Sequence, residues 1–282
     1  MVFLLALSSA AFYGSADFLG GLATRRAAAI PVVLISQGAG LLLVLLLMPL
    51  LPAATPTSAD IAWGTLAGVM GAVGVALLYH ALAIGTMSVV APTTAVCAVA
   101  IPVLTSVLLG EHLALLSAIG IVVGVAAIVL VSMQTPTTVT EAAPHRSGVG
   151  FALISGVAIG IFLYALAQAK PTAGMWPLVA SRSTSTLLIG ILALARRTSL
   201  RMSSRLLGVT LACGAVDMTA NALYMIAARI GPLSPVVTLS SLYPATTVLL
   251  ASAFLHERLN AAQKLGVALA LGAVVLIVGA PA

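Results

Sequence analysis

Four side chains able to bind an ion or move a proton stand inside long apolar runs: Asp17, Arg182, Asp217 and His80. A charge at the centre of a bilayer costs roughly 3 kcal/mol or more unless it is paired or hydrated, so each is a candidate for function. Asp217 is followed one helical turn later by Asn221 and nearly two turns later by Tyr224, which makes a polar stripe on an apolar helix. Such a stripe serves either as a proton- or substrate-binding carboxylate at the midplane or as a polar knot joining helices. Asp17 has Tyr13 one turn before it and Ser9 a turn earlier. Arg182 precedes Ser185 and Thr186. It can act as counter-ion of an aspartate, grip a substrate carboxylate by two parallel hydrogen bonds, or snorkel to the interface. His80 suits proton coupling because imidazole titrates near neutrality, and it equally suits a packing hydrogen bond.

The same residues exclude most catalytic chemistry. There is no HExxH, GxSxG or GxxxxGK[ST] pattern, so a zinc protease, a serine hydrolase and ATP hydrolysis are not expected. The acidic residues are Asp17, Asp60, Glu111, Glu141, Asp217 and Glu257, with no adjacent pair to hold a metal. No enzyme activity, metal or cofactor is expected. Cys97 and Cys213 lie in apolar segments and read as packed thiols.

The elements that must position these groups are membrane helices. The chain is 61% hydrophobic and 6% charged, with mean hydropathy +1.22, so it has no residues with which to build a charged surface in water. Apolar runs lie at about 2–22, 30–50, 61–84, 88–109, 115–133, 148–168, 175–195, 206–228, 233–255 and 261–279. Their Ala, Leu, Gly and Val, without alternation, predict helices and not barrel strands. The first run lacks a basic start and reads as a retained span. The expected architecture is all-α and integral to the membrane, with ten transmembrane helices. The net charge of +6 falls between spans, where it orients the protein and meets lipid head groups, with no nucleic acid implied.

The chain is written twice. Displaced by 146 residues, Gly14 falls on Gly160, Pro31 on Pro177, Gly68 on Gly214, Gly85 on Gly231 and Gly120 on Gly266. Leu109, Glu111 and Leu113 fall on Leu255, Glu257 and Leu259. The units are 1–133 and 148–282, joined by the polar linker 134–147. Five spans per unit, an odd number, would make the repeats inverted, a known route to transporters that open alternately to two sides. The embedded charges do not repeat: Asp17 falls on Leu163, Asp217 on Gly71, Arg182 on Ser36 and His80 on Ile226. Scaffold should appear in both copies, whereas a group specialised for a ligand need not. Glu111 and Glu257 do repeat, and each precedes a helix start, where a carboxylate caps free N–H groups and meets the helix dipole.

Pro102 and Pro244 fall inside the fourth and ninth runs, offset by about one turn between the copies. Each is expected to kink its helix, and interrupted helices in both halves point to a transporter's binding site. Thr93 and Thr94, and Ser240, Ser241 and Tyr243, would supply polar atoms there. A packing kink is the alternative. Glycines at four-residue spacing, Gly64 and Gly68 or Gly120 and Gly124, allow close helix approach.

Three stretches carry a family resemblance: YGSADFLGGLATRR, ALAIGTMSVVAPTTAVCAVAIPVLTSVLLGEHL and AARIGPLSPVVTLSSLYPATTVLLASAFLHERL. Their order of Gly, small residue, Pro, mid-helix Pro, then Leu-x-Glu-x-Leu before a Gly-containing helix resembles the EamA-type transporters of the drug/metabolite transporter superfamily. The resemblance covers nearly the whole chain. It implies ten helices in two inverted five-helix repeats and transport of small metabolites, without naming the substrate. One departure is the basic connection ARRTSLRMSSR after the seventh run, where LPAATPTSAD after the second has no basic residue.

The expected function is secondary-active transport of a small metabolite or drug by alternating access, coupled to an ion or proton. The setting is the plasma or inner membrane, with lipids and a small-molecule substrate as partners and a monomer or homodimer as the assembly. A lipid-acting membrane enzyme and a passive channel are the alternatives. On orientation, two expectations conflict. The odd-numbered connections hold nearly all the Arg and Lys, which places both termini outside the cytoplasm. The resemblance implies cytoplasmic termini.

Overall fold

A computed structural model describes residues 1–84, 87–110, 114–131, 148–255 and 260–278. Glu111, Glu257 and the linker lie outside them, as does the side chain of Thr93. The described chain is helical, with no strand among the described residues. The helices are α1 (Val2–Thr24), α2 (Ala29–Leu47), α3 (Ser58–Ile84), α4 (Met87–Leu108), α5 (Leu115–Val131), α6 (Val149–Ala167), α7 (Trp176–Ala195), α8 (Ser204–Ile230), α9 (Leu233–Ser240), α10 (Tyr243–Leu255) and α11 (Ala261–Val278).

Each apolar run of the sequence holds a helix, and the ninth is split. Seven spans among the described residues are long and apolar enough to cross a membrane: α1, α2 with its 3-10 extension, α3, α6, α7, α8, and Leu233–Phe254 taken across the split. Shorter apolar stretches, Thr94–Thr105, Ala118–Leu130 and Lys264–Ala273, lie in α4, α5 and α11.

The two prolines act differently. Pro244 stands second in α10, after a turn at Ser241–Leu242. Its missing N–H and its ring are tolerated in a first helical turn and not in an interior, so the run breaks just before it. Pro102 is buried two thirds of the way along α4, which runs unbroken from Met87 to Leu108. The expected matching interruption is therefore present in the second half only. The Ala98 carbonyl, which Pro102 leaves without its in-helix donor, lies against Gly160 of α6.

The halves interleave and do not form separate cores. Helix α1 packs on α8 and α3 on α6; α4 packs on α6, and α9 and α10 on α1; α2 packs on α8 and α7 on α3. Helices α2 and α7 meet each other, as do α5 and α11. Exchanging the halves turns α2–α7 and α5–α11 into themselves and each other pairing into another on the same roll, so the packing has the pseudo-two-fold character expected from the duplication.

The repeated glycines make these crossings. A Cβ on Gly68 would stand 2.5 Å from the Ser181 carbonyl oxygen, and one on Gly214 would collide with the Ser36 carbonyl. A Cβ on Gly160 would reach the Ala98 oxygen at 2.9 Å, and one on Gly14 would strike the Tyr243 oxygen. Small residues let backbones approach this closely, which is how helices gain packing where lipid removes the hydrophobic drive. Large side chains such as Leu4, Leu46, Leu194, Phe254 and Leu271 point outward. Inside, alanines and polar groups stand among buried Val, Leu, Met and Tyr side chains.

Candidate functional site

At mid-bundle, α1, α2, α7, α8 and the broken α9–α10 meet around a polar cluster. Arg182 on α7 is 4% exposed. One terminal nitrogen donates to Asp217 Oδ2 on α8 and the other to Gln37 Oε1 on α2. Ser185, one turn along α7, also donates to Gln37 Oε1 at 3.3 Å. Asn221, one turn after Asp217, donates to its backbone oxygen at 2.7 Å and to its carboxylate at 3.3 Å. Tyr13 on α1 closes the chain by donating to Asn221 Oδ1 at 2.9 Å. Helical spacing puts these groups on facing stripes, and the glycines bring the stripes within hydrogen-bond reach.

The cluster borders a cavity of about 60 Å³. Asp17, Tyr13, Gln37, Arg182, Asp217, Asn221, Ser240, Ser241, Tyr243 and Phe162 are among its walls. Of the other charged and polar walls, Ser240 donates to Ala6 O at 3.3 Å, while Asp17 makes no hydrogen bond or ion pair among the described residues. The Ser241 hydroxyl and the Arg182 Nε are buried without a hydrogen-bond partner. Polar atoms in a protein interior are nearly always satisfied, so the orphaned hydroxyl of Ser241, a residue on the cavity wall, marks where an occupant can bind.

The structure thus gathers Asp17, Tyr13, Arg182, Asp217, Asn221, Ser240 and Tyr243 around one space. It places other sequence candidates elsewhere. Tyr224 is fully buried and donates to Leu163 O at 2.9 Å, tying α8 to α6. Thr94 is buried and donates to Ala152 O at 3.2 Å. His80 is exposed on the outer surface of α3, edge-on to Phe151 with ring centroids 4.9 Å apart. Cys213 packs against the Tyr79 hydroxyl and Ala16 O, both at 3.3 Å, and both cysteines are free. Sequence reasoning missed Gln37. An amide in the middle of an apolar run was the signal available for it.

Two loop junctions flank the bundle. At one, residues 51–57 meet residues 168–175. Thr57 and Asp60 form a reciprocal cap at the start of α3: Asp60 Oδ2 accepts from Thr57 N at 2.9 Å and Thr57 Oγ1 at 2.7 Å, and Asp60 N donates to Thr57 Oγ1 at 3.3 Å. The other oxygen, Oδ1, accepts from Lys170 N across the junction at 2.9 Å. Thr55 N donates to Thr172 O at 3.0 Å, and Arg229 Nε donates to Ala169 O at 3.3 Å. The duplicate junction joins 25–28 to 196–203. There Ser203 caps Leu206 N at 3.4 Å as Thr57 caps Asp60. Leucine stands where the acid would be, and no hydrogen bond crosses among the described residues. A cavity of about 390 Å³ lies there instead, with exposed Arg26 and Arg201 on its rim.

The model of the EamA-like transporter family matches residues 1–133 and again 146–279. A solved crystal structure superposes with TM-score 0.75 at 16% identity, covering 98% of this chain and 95% of that one. At that identity the likeness is one of fold. No curated protein matches the chain.

Proposed function

The chain belongs to the EamA-like transporter family, and on that premise we propose that it carries a small molecule through the Arg182–Asp217 cavity by secondary-active alternating access. The observation that carries this reading is the contrast between scaffold and site. Glycines that make the helix crossings occur in both repeats, while Asp17, Arg182 and Asp217, which border one shared cavity, occur once each. Specialised groups on a duplicated frame are what a single substrate site between two rocking halves requires.

In this reading all ten apolar runs cross the plasma or inner membrane, five per repeat in opposite senses. The two loop junctions then lie at opposite faces. The Asp60 junction is the closed door, and the Arg26–Arg201 junction is its unlatched counterpart. Alternation exchanges them about the cavity. Asp217 serves coupling: its carboxylate can leave Arg182 for a proton or an ion while the site turns.

Reconstitution tests the proposal. In proteoliposomes holding an imposed pH gradient, a candidate solute should accumulate above its external level, and unlabelled solute on the opposite side should accelerate exchange. Channel-sized single-molecule currents without exchange acceleration would decide for a passive pore. Turnover of a lipid by the purified protein would decide for an enzyme.

A further inference from the structure

We propose that the occupant of the central cavity is a small organic monocation, an alkylammonium, whose charged nitrogen is bound by Asp17. This rests on the transporter reading of the same cavity and names its substrate class. The first support is the charge count. The charged residues on the walls are Asp17, Asp217 and Arg182. Arg182 is committed: one terminal nitrogen serves Asp217 and the other Gln37. That leaves the carboxylate of Asp17 facing the space with no hydrogen bond or ion pair among the described residues. A lone carboxylate inside a membrane protein requires a proton or a cation.

A ligand carboxylate finds no equivalent welcome. The guanidinium fork that would grip it is already filled on both tips. Of its nitrogens Nε alone has no hydrogen-bond partner, and it lies beside Gly40, 3.6 Å from the position of a Cβ there. The walls favour a cation. Tyr13, Tyr243 and Phe162 line the space, and aromatic faces attract ammonium groups while accepting alkyl carbon. The Ser241 hydroxyl, 1% exposed and without a partner, offers an acceptor to an ammonium N–H. A volume near 60 Å³ admits roughly four to six water-sized centres, which limits the ligand in this conformation to a few heavy atoms.

Proton and amine then compete for Asp17. The titratable groups within electrostatic reach are Asp217 and Cys213 on α8, Tyr79 on α3 and Tyr243 on α10, with Arg182 on α7 beside Asp217. Arg182 being paired, none of these supplies Asp17 with a free cation.

Thermal unfolding of the purified full chain, followed by Trp63 and Trp176 fluorescence, provides the test. Ethylammonium chloride is compared with sodium acetate and with sodium chloride at equal ionic strength. Ethylammonium should raise the midpoint and acetate should not. The shift should vanish in Asp17→Asn, which keeps the side chain's shape. In the wild type, apparent affinity should fall by about tenfold per pH unit once the solution is acid enough to protonate the site. A shift that survives in Asp17→Asn, binding indifferent to pH, or selective stabilisation by acetate each overturns the proposal. Should the Asn variant fail to fold, the pH series on wild type decides alone. Ethylammonium bound through Asp17 but never moved in proteoliposomes would sink the transport reading and leave the site assignment standing.

Discussion

Arg182 is the residue on which the polar cluster depends, because it is buried and holds two partners on two other helices. Removing one partner of a buried ion pair leaves the other charge uncompensated, at a cost of about 3–5 kcal/mol. Arg182→Met strands Asp217 and Gln37 together, and Asp217→Asn strands the guanidinium charge, so both should lower the unfolding midpoint, Arg182→Met more because it breaks hydrogen bonds to two helices. Detergent-resistant folded yield and thermal melts of the two variants check this ranking. Asp217→Asn should insert and fold yet lose proton-driven accumulation in proteoliposomes. Accumulation at the wild-type level would leave Asp217 as helix glue alone. Asp17, Arg182, Asp217 and Asn221 were legible in the sequence because charge in an apolar run is costly and therefore conspicuous. Gln37 was not, since an amide costs less and one among many apolar neighbours draws no attention. Ion-pair partners were not assignable either, because Arg182 and Asp217 are 35 positions apart and only the α2–α7–α8 packing brings their tips together.

Between helices, the repeated glycines set the distances at which the cluster can form. A Cβ on Gly214 would strike the Ser36 carbonyl, which is backbone and cannot swing aside. Gly214→Val should cost about 1–3 kcal/mol or more through overpacking. It should also spread α2 from α8, one position of which bears Asp217. Loss of folded protein by size-exclusion chromatography is the readout, and a normal profile would show that the crossing yields. Element positions were readable from apolar length, but the break in the ninth run was not. Pro102 and Pro244 look alike in sequence, and only the surroundings of each decide whether a helix continues. Pro244 stands beside Ser240, Ser241 and Tyr243, all on the cavity wall. Pro244→Ala should let α9 and α10 fuse and draw those groups out of place, so transport should fall more than folded yield. Equal loss of both, or normal transport, would reduce the break to a packing detail.

At the scale of the molecule, the two loop junctions differ although the halves are copies. Asp60 ties α3 to the 168–175 loop through Lys170 N, while its counterpart Leu206 has no such oxygen. Charge-assisted hydrogen bonds contribute about 1.5–3 kcal/mol each. Asp60→Ala should therefore loosen that junction. A cysteine placed at Ser181 on the cavity wall, with Cys97 and Cys213 replaced by alanine, should then react faster with a membrane-impermeant maleimide applied from the Asp60 side. An unchanged rate would show that the contact caps α3 and closes nothing. Which face that side occupies is a matter of orientation. Arg25, Arg26, Arg196, Arg197, Arg201 and Arg205 cluster on the opposite junction, and the positive-inside rule puts them in the cytoplasm with both termini outside. A carboxy-terminal reporter active only in the cytoplasm should accordingly stay silent, and activity would reverse the assignment. The duplication was visible from the sequence at once. The junctions' inequality was not, because it lies in which neighbour a single carboxylate reaches.

That inequality has a kinetic meaning. A carrier whose two resting forms differ in free energy spends most of its time in one of them. A ligand approaching from the side where the site is seldom presented meets a weakened apparent affinity, reduced by the fraction of molecules ready to receive it. With one latch and no counter-latch among the described residues, half-saturation should differ between the two sides of the membrane even for one solute and one pocket. The direction of that difference is written in the position of Asp60.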